Sequence, residues 1–179
     1  MGVAAAVVWD RGEAGEGSHP RALRGASGEP SGDAGVGKRA GRPLTVLLVE
    51  DDPAMRLLCR VNLEAAGYDV VIATTGSEAI ERAREVDPDV VLLDVMLPDV
   101  GGFEVARQVG GAPVVFLSAR VSDADIERGR TAGGIDYVTK PFDPLRLPRR
   151  IREDLDELRR GGPAAVWHLR FPLSHDERD

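Results

Sequence analysis

Residues 44–53 read Leu44-Thr45-Val46-Leu47-Leu48-Val49-Glu50-Asp51-Asp52-Pro53, an unbroken apolar run that ends in a cluster of acidic residues. An apolar run of this length without polar alternation is typical of a β-strand buried on both faces, as in a parallel sheet covered by helices. Asp52 and Pro53 then suit the N-cap and the first position of an α-helix. The stretch therefore predicts a buried strand that leads directly into a helix.

This unit of strand and helix repeats along the chain. Apolar runs predict strands at residues 44–49, 68–73, 90–93, 114–117 and 135–138. Helical spacing predicts one helix from Pro53 and further helices at residues 77–86, 102–109, 123–131 and 147–160, the last becoming regular near Pro148. Strands that alternate with helices imply right-handed crossovers. The sequence thus predicts an α/β fold, a doubly wound, five-stranded parallel sheet with helices on both faces.

The folded domain is expected to span residues 44–160. Residues 1–43 are rich in glycine and have no periodic apolar pattern, so they predict a disordered N-terminal extension. Residues 161–179 form a short C-terminal tail, for which a frayed end is the preferred interpretation. The alternative is that the patch at residues 167–171 docks on the domain or on a partner.

Composition argues against several classes of protein. The formal net charge is −7, which disfavours a basic nucleic-acid-binding face. The single cysteine, Cys59, excludes an internal disulfide, and the scattered histidines predict no histidine metal site. No stretch reaches the roughly 20 apolar residues of a membrane span. The N-terminus also lacks the basic start of a signal peptide, so we expect a cytoplasmic protein.

Polar side chains follow four of the predicted strands. Glu50 and Asp51 come after the first strand, Asp94 after the third, Ser118 after the fourth and Lys140 after the fifth. In a doubly wound sheet, ligands bind at the edge formed by the carboxyl ends of the strands. We therefore expect these residues to lie close together at one edge.

The residue types at this edge suit phosphoryl transfer. Three neighbouring carboxylates repel one another and need a cation to stay ionised. Mg²⁺ fits, because it binds a few carboxylate oxygens and keeps several waters, and Lys140 adds a positive charge. A carboxylate between a metal ion and a lysine remains a usable nucleophile. A phosphoryl group arriving at Asp94 would have its oxygens met by Mg²⁺, Lys140 and the Ser118 hydroxyl.

Four stretches, taken in order, resemble the response-regulator receiver domain of two-component signalling. They are residues 46–53, 94–98, 117–120 and 134–142, and the last resembles the receivers of winged-helix response regulators. The resemblance spans residues 44–160 and implies a flavodoxin-like fold with strand order 2-1-3-4-5. It implies a signalling domain rather than an enzyme, with only self-catalysed phosphoryl transfer and slow autodephosphorylation.

The resemblance assigns roles to the residues at the strand ends. Asp94 matches the phosphoacceptor, assisted by Lys140 and Ser118, and no organic cofactor is implied. Asp52, just after the acidic pair, is expected to cap the helix instead of binding metal. The expected Mg²⁺ ligands are three carboxylates and one backbone carbonyl, from Glu50, Asp51, Asp94 and Met96.

The resemblance also implies a switch. Ser118 matches a hydroxyl that turns toward the phosphoryl group, and Tyr137 matches an aromatic residue that turns in after it. Their movement would change the surface of the fourth helix, fifth strand and fifth helix. Lys140-Pro141 matches a peptide bond that is cis in the family.

The implied phosphoryl donor is a sensor histidine kinase or a phosphotransfer protein, and the downstream protein partner is not named by the sequence. No membrane or direct nucleic-acid partner is expected. A phosphorylation-dependent homodimer is possible by resemblance, with Asp136 and Arg150 as a candidate salt bridge between copies.

Three alternatives remain open. The chain is short for a receiver followed by an output domain, so it is either a receiver that acts alone or a truncated DNA-binding transcriptional response regulator. A pseudo-receiver would bind partners without phosphorylation. An aspartyl phosphohydrolase would need a second aspartate two residues after the nucleophile, where this chain has Met96.

Overall fold

The computed structural model describes residues 42–119 and 122–170, which form alternating strands and helices. The strands are β1 (Thr45–Val49), β2 (Asp69–Ala73), β3 (Val90–Asp94), β4 (Val114–Ser118) and β5 (Gly134–Thr139). The helices are α1 (Pro53–Ala65), α2 (Gly76–Val86), α3 (Gly102–Gln108), α4 (Asp123–Thr131) and α5 (Leu147–Arg170). Most of the predicted N-terminal extension (through residue 41), the pair Arg120 and Val121, and residues 171–179 lie outside the described residues.

The strands form one sheet in the order β2-β1-β3-β4-β5, and every pairing is parallel. The predicted doubly wound sheet and its strand order are therefore confirmed. The register pairs Val49 with Leu93 and Ser118 with Thr139. The carboxyl ends of β1, β3, β4 and β5 therefore lie at the same edge of the sheet.

Both faces of the sheet are buried, which explains why the strands are continuously apolar. On one face Leu47, Val49 and Leu93 pack in a cluster with residues of α2 and α3. On the other face Val46 and Leu48 pack with residues of α1 and α5. A shift of one residue in register would exchange these two sets, so the alternation fixes the register of each strand.

Short polar side chains define where helices begin. The Asp52 carboxylate accepts a hydrogen bond of 2.7 Å from the Met55 backbone N–H, with Pro53 in the first turn. Asp52 is therefore the N-cap of α1, as expected. Ser122 and Asp125 form a reciprocal capping box at the start of α4. In the residues that the structure describes, no helix is both long and apolar enough to cross a membrane.

The C-terminal region differs from the expectation of a frayed end. The helix α5 continues to Arg170, with a break at Gly162, whose φ of 73° and ψ of −175° are not helical. Residues 163–170, which we call the C-terminal cap, follow this break and pack back onto the domain. The prediction of a frayed end is therefore wrong for residues 163–170. The alternative, docking on the domain, holds for Trp167.

Two anchors hold the cap, and both reach partners distant in sequence. The Trp167 side chain is buried, and its indole Nε1 donates a 3.0 Å hydrogen bond to the Gly134 carbonyl. The Arg170 guanidinium lies 2.8 Å from the Asp154 carboxylate and 3.1 Å from Glu153. A buried indole with its N–H satisfied and a paired guanidinium compensate the entropy lost on docking.

A buried ionic cluster lies beneath the cap. Asp136 and Asp154 are both fully buried, and Arg150 forms hydrogen bonds of 2.5 and 2.8 Å with Asp136. The expected salt bridge between copies is thus corrected, because Asp136 and Arg150 pair within one chain. Burial and then the charge of Asp136 raise the pKa of Asp154 from 3.8 to about 7, and Arg170 offsets this only in part.

We expect the difference in the free energy of unfolding between Asp154→Asn and wild type to favour the variant more at pH 8 than at pH 5. Because the pKa of Asp154 is raised in the folded chain, its contribution to the free energy of unfolding is lost as pH rises from about 4 to 7. The loss approaches about 1.4 kcal/mol per pH unit for one proton. Urea unfolding at several pH values measures it, with Asp156→Asn as an exposed control on the same helix. Equal pH dependence for the Asp154→Asn and wild-type chains would contradict the prediction.

Candidate functional site

The carboxyl edge of the sheet brings together the polar residues expected there. Glu50 directly follows β1 and Asp94 ends β3, and these positions are adjacent because Val49 pairs with Leu93. Ser118 ends β4, and the backbone N–H of Lys140 donates a 2.7 Å hydrogen bond to its carbonyl. The Lys140-Pro141 peptide bond is cis, as expected from the resemblance.

A lysine bridges two of the carboxylates. The Lys140 Nζ lies 2.6 Å from Asp94 Oδ2 and 2.7 Å from Glu50 Oε2. The side chains are 18%, 8% and 1% exposed for Lys140, Asp94 and Glu50 respectively. Pairs so poorly solvated interact much more strongly than surface ion pairs, and separating one partner would leave a buried charge uncompensated.

Burial has a different weight in the pKa of Glu50 and in the pKa of Lys140. Burial raises the pKa of the Glu50 carboxyl, and the Lys140 ammonium offsets this only in part. Burial alone would lower the pKa of Lys140, but its hydrogen bonds to Asp94 and Glu50 outweigh that effect and raise it. Burial dominates at Glu50 because its carboxylate is almost fully withdrawn from water. It does not dominate at Lys140, whose side chain keeps some contact with water. Lys140 thus remains a cation at neutral pH.

The acidic cluster has the composition of a divalent-cation site. Carboxylate oxygens of Glu50, Asp51 and Asp94 lie within 4.8 Å of one another, and Asp51 is exposed while the other two are buried. Oxygen ligands with one solvent-facing member suit Mg²⁺, which retains several waters. The Met96 backbone N–H donates a 2.8 Å hydrogen bond to Asp94 Oδ1, which places Met96 beside the Asp94 carboxylate. Asp52 is used as a helix cap, as predicted.

The two expected switch residues are in contact. Ser118 and Tyr137 are each 2% exposed and share a side-chain hydrogen bond. The Tyr137 ring packs 5.9 Å from the ring of Phe116, measured between centroids. Burial raises the pKa of Tyr137, with the hydrogen bond to Ser118 opposing it. The tyrosine is therefore already turned inward.

Two residues that support the site were not identified from the sequence. The Arg56 guanidinium donates hydrogen bonds of 3.0 and 2.9 Å to the carbonyls of Glu50 and Asp51, which fixes the acidic loop. Asp99, in the loop after β3, accepts hydrogen bonds of 2.7 and 2.9 Å from the first two backbone N–H groups of α2. Those N–H groups, first that of Ser77 and then that of Gly76, hold the pKa of Asp99 well below its usual range.

The backbone of α3 packs closely against Asp94. A Cβ atom added at Gly102 would lie 2.4 Å from the Asp94 carbonyl oxygen and 2.8 Å from Val95 Cα. Only glycine allows α3 to begin this close to the end of β3. At Gly101, one residue earlier, the same added atom would meet nothing within 4 Å. The loop after β3 is thus held at Gly102 and not at Gly101.

Comparison with known proteins identifies relatives of this arrangement. A model of the family described as "Response regulator receiver domain" matches residues 46–152. The transcriptional regulatory protein TrcR of Mycobacterium tuberculosis is 46% identical over 116 residues, which cover 63% of this chain and 45% of that protein. The DNA-binding response regulator MtrA of Mycolicibacterium smegmatis is 39% identical over 62% of this chain and 50% of that protein. The chain thus spans about half the length of the curated relatives it matches.

Solved structures agree with the fold. A CheY-like response regulator receiver domain protein from Methanospirillum hungatei JF-1 aligns with a TM-score of 0.62 at 29% identity, over 67% of this chain and 99% of that chain. The BeF3-activated N-terminal receiver domain of Klebsiella pneumoniae RstA aligns with a TM-score of 0.57 at 34% identity, over 62% of this chain and 97% of that chain. In both cases nearly the whole of the known domain is covered.

We expect Gly102→Ala to lower the free energy of unfolding by about 1–3 kcal/mol, because its Cβ would force the backbone of β3 and α3 apart. Gly101→Ala is the matched control, since its φ of −61° suits alanine and its Cβ has room. Chemical denaturation of the two variants measures the difference. Equal stability of both variants would show that the close approach at Gly102 does not constrain the end of β3.

Proposed function

Since the chain belongs to the response regulator receiver domain family, we propose that Asp94 accepts a phosphoryl group and that Lys140, Ser118 and Tyr137 convert this event into a change of surface. The observation that carries the proposal is the Lys140 ammonium, which contacts the carboxylates of Asp94 and Glu50 at the carboxyl edge of the sheet. The proposed donor is a phosphohistidine on a sensor histidine kinase or a phosphotransfer protein.

In the proposed step, an Asp94 carboxylate oxygen attacks phosphorus. The new P–O bond forms as the P–N bond of the phosphohistidine breaks, and its electron pair returns to the imidazole nitrogen. Negative charge gathers on the phosphoryl oxygens, which Lys140 neutralises and to which the Ser118 hydroxyl donates a hydrogen bond. Such prearranged positive and donor groups account for most of the catalysis available to phosphoryl transfer.

The acidic cluster supports a requirement for Mg²⁺. We propose Glu50, Asp51, Asp94 and the Met96 backbone carbonyl as its ligands, with Glu50 acting through water. The bound ion would supply further charge neutralisation. Arg56 holds the backbone carbonyls of Glu50 and Asp51 and so fixes the loop that carries both ligands.

The switch is proposed to work by a shift between populations. Drawing the Ser118 hydroxyl toward a phosphoryl group would strengthen the packing in which Tyr137 lies beneath it. Because Tyr137 is already inward and bonded to Ser118, phosphorylation would stabilise this arrangement instead of creating it. The surface affected is formed by α4, β5 and α5.

A transcriptional output is a second candidate for the whole protein. It is favoured by the relatives TrcR and MtrA, which are named as transcriptional or DNA-binding regulators and of which the chain matches about half. The domain described here would then act as the phosphorylated half of such a regulator. A pseudo-receiver is the remaining alternative, and phosphorylation tests it directly.

We expect incubation with acetyl phosphate and Mg²⁺ to add one phosphoryl group per chain, read by intact mass. Asp94→Asn should abolish the gain, because the amide is not a nucleophile at neutral pH. Asp52→Asn is the matched control, since asparagine caps a helix as well as aspartate does. A folded wild-type chain that gains no mass would favour the pseudo-receiver.

Mg²⁺ affinity should depend on Asp51 and not on Asp52. Asp51→Asn removes a charged ligand, and we expect at least about a tenfold weaker binding of Mg²⁺ by isothermal titration calorimetry. Asp52→Asn should bind Mg²⁺ as the wild-type chain does. An equal loss of Mg²⁺ affinity in both variants would indicate a general effect of negative charge and not a defined set of ligands.

A further inference from the structure

The C-terminal cap lies against the same surface that the switch is proposed to change. Trp167 contacts β5 at Gly134, and its side chain belongs to the buried cluster that contains Phe116 and Tyr137. Arg170 contacts α5 at Asp154 and at the Arg150 carbonyl, 3.2 Å away. The same cluster contains Ala132, which directly follows α4. The cap therefore contacts β5 and the part of α5 that precedes Gly162, and it shares a buried cluster with the end of α4.

One line of contacts leads from Trp167 to the tyrosine. The indole holds the carbonyl of Gly134, the first residue of β5. A Cβ at Gly134 would lie only 2.5 Å from the Phe116 ring, so the start of β5 is pressed against that ring. Phe116 in turn packs on Tyr137, which bonds to Ser118. Displacing the indole would free the strand segment on which Phe116 rests.

A second line leads from Arg170 to the tyrosine backbone. The Arg170 guanidinium lies 3.8 Å from the Asp136 carboxylate, which itself accepts a 2.7 Å hydrogen bond from the Tyr137 N–H. Arg150 bonds the same carboxylate and lies 3.3 Å from the Tyr137 carbonyl. Of the two guanidinium groups beside these buried carboxylates, Arg170 belongs to the cap and reaches Asp136 and Asp154 only while the cap is docked. Without Arg170, Arg150 is the remaining guanidinium beside Asp136 among the residues described, and Asp154 loses its cationic partner.

The break at Gly162, between the first segment of α5 and the cap, allows the cap to move as a unit. Gly162 has a φ of 73°, a conformation that glycine adopts at little cost, and Pro163 follows it. The helical segments on each side can therefore reorient about this point while keeping their internal hydrogen bonds. A tethered segment of this kind rebinds at a high effective concentration, so modest changes at its anchors shift its docking equilibrium.

We propose that the C-terminal cap is an intrachain positioning element for the switch pair: when residues 163–170 are docked, Tyr137 is held inward against Ser118, and when they undock, Tyr137 is released. Trp167 and Arg170 act as positioning residues, because neither touches Asp94. The inference uses the switch pair of the proposed function. By thermodynamic reciprocity, stabilising the inward pair at the Asp94 site tightens docking of the cap. A partner that binds over β5 must displace the cap.

The test uses the full chain and needs no phosphoryl donor, so its failure is separate from failure of the proposed function. The chain has two tryptophans and two tyrosines, which keeps the signals simple. In a Trp9→Phe background, acrylamide quenching of fluorescence reports the exposure of Trp167. Ring NMR resonances report Tyr137, and Tyr68, whose hydroxyl bonds to the Pro148 carbonyl in the other buried cluster, is an internal control.

We expect Arg170→Gln to increase quenching of Trp167 severalfold and to move the Tyr137 resonances toward those of an exposed tyrosine, with Tyr68 unchanged. Arg170→Lys should restore both signals in part, because it restores the charge. Arg159→Gln is the matched control, since Arg159 is exposed on α5 and pairs only with Asp156 among the residues described.

Three results would overturn the proposal. The first is an opened cap with Tyr137 unchanged. The second is a Trp167 already fully quenchable in the chain that keeps Arg170. The third is a Tyr137 that responds equally to Arg159→Gln. A shift of the Tyr68 resonances in Arg170→Gln would signal general unfolding. The same comparison is then made on Arg170→Lys and on Trp167→Ala. In Trp167→Ala, hydrogen exchange of residues 163–170 reports whether the cap is docked.

Discussion

A single ammonium group between two buried carboxylates constrains the rest of this domain. Lys140 comes from the end of β5, whereas Glu50 and Asp94 come from the ends of β1 and β3, 90 and 46 residues away in sequence. These groups meet only if the strands end at one edge in the observed order. Burying three charged groups is tolerated because each has a partner. The contact between Lys140 and the two carboxylates therefore depends on the strand order, on the apolar strands and on the polar edge together.

Much of this arrangement could be predicted because it depends on short stretches of sequence. The continuously apolar strands, the residue type at each strand end and the Asp52 cap depend on neighbours within a few positions. The role of Asp99 was not predictable in the same way, since its partners are backbone groups of α2, 22 and 23 residues away. The C-terminal cap was misjudged for a similar reason. Its helix looks weak in isolation because of Gly161, Gly162 and Pro163, and its stability comes from Gly134 and the buried carboxylates.

The site combines a rigid floor with an adjustable side. Gly102 brings the start of α3 against the Asp94 carbonyl, and the Met96 N–H holds one oxygen of the same residue. On the other side, Ser118 and Tyr137 meet through hydroxyl groups that can rotate, and β5 carries an irregular register at its pairing with β4, between Val114 and Val115. The proposed switch requires this combination, a fixed site beside a neighbour that can repack.

The docked tryptophan has a further effect on the sheet itself. β5 is an outermost strand, and an outermost strand offers backbone carbonyls and N–H groups to which a strand from another molecule could add. The Trp167 indole donates a hydrogen bond to the Gly134 carbonyl at the start of that strand, from a segment that is itself helical. A helix cannot extend a sheet, so the chain closes part of its own border with an element that ends the hydrogen-bonding pattern. With the segment docked, the Gly134 carbonyl is occupied and cannot accept a hydrogen bond from an added strand.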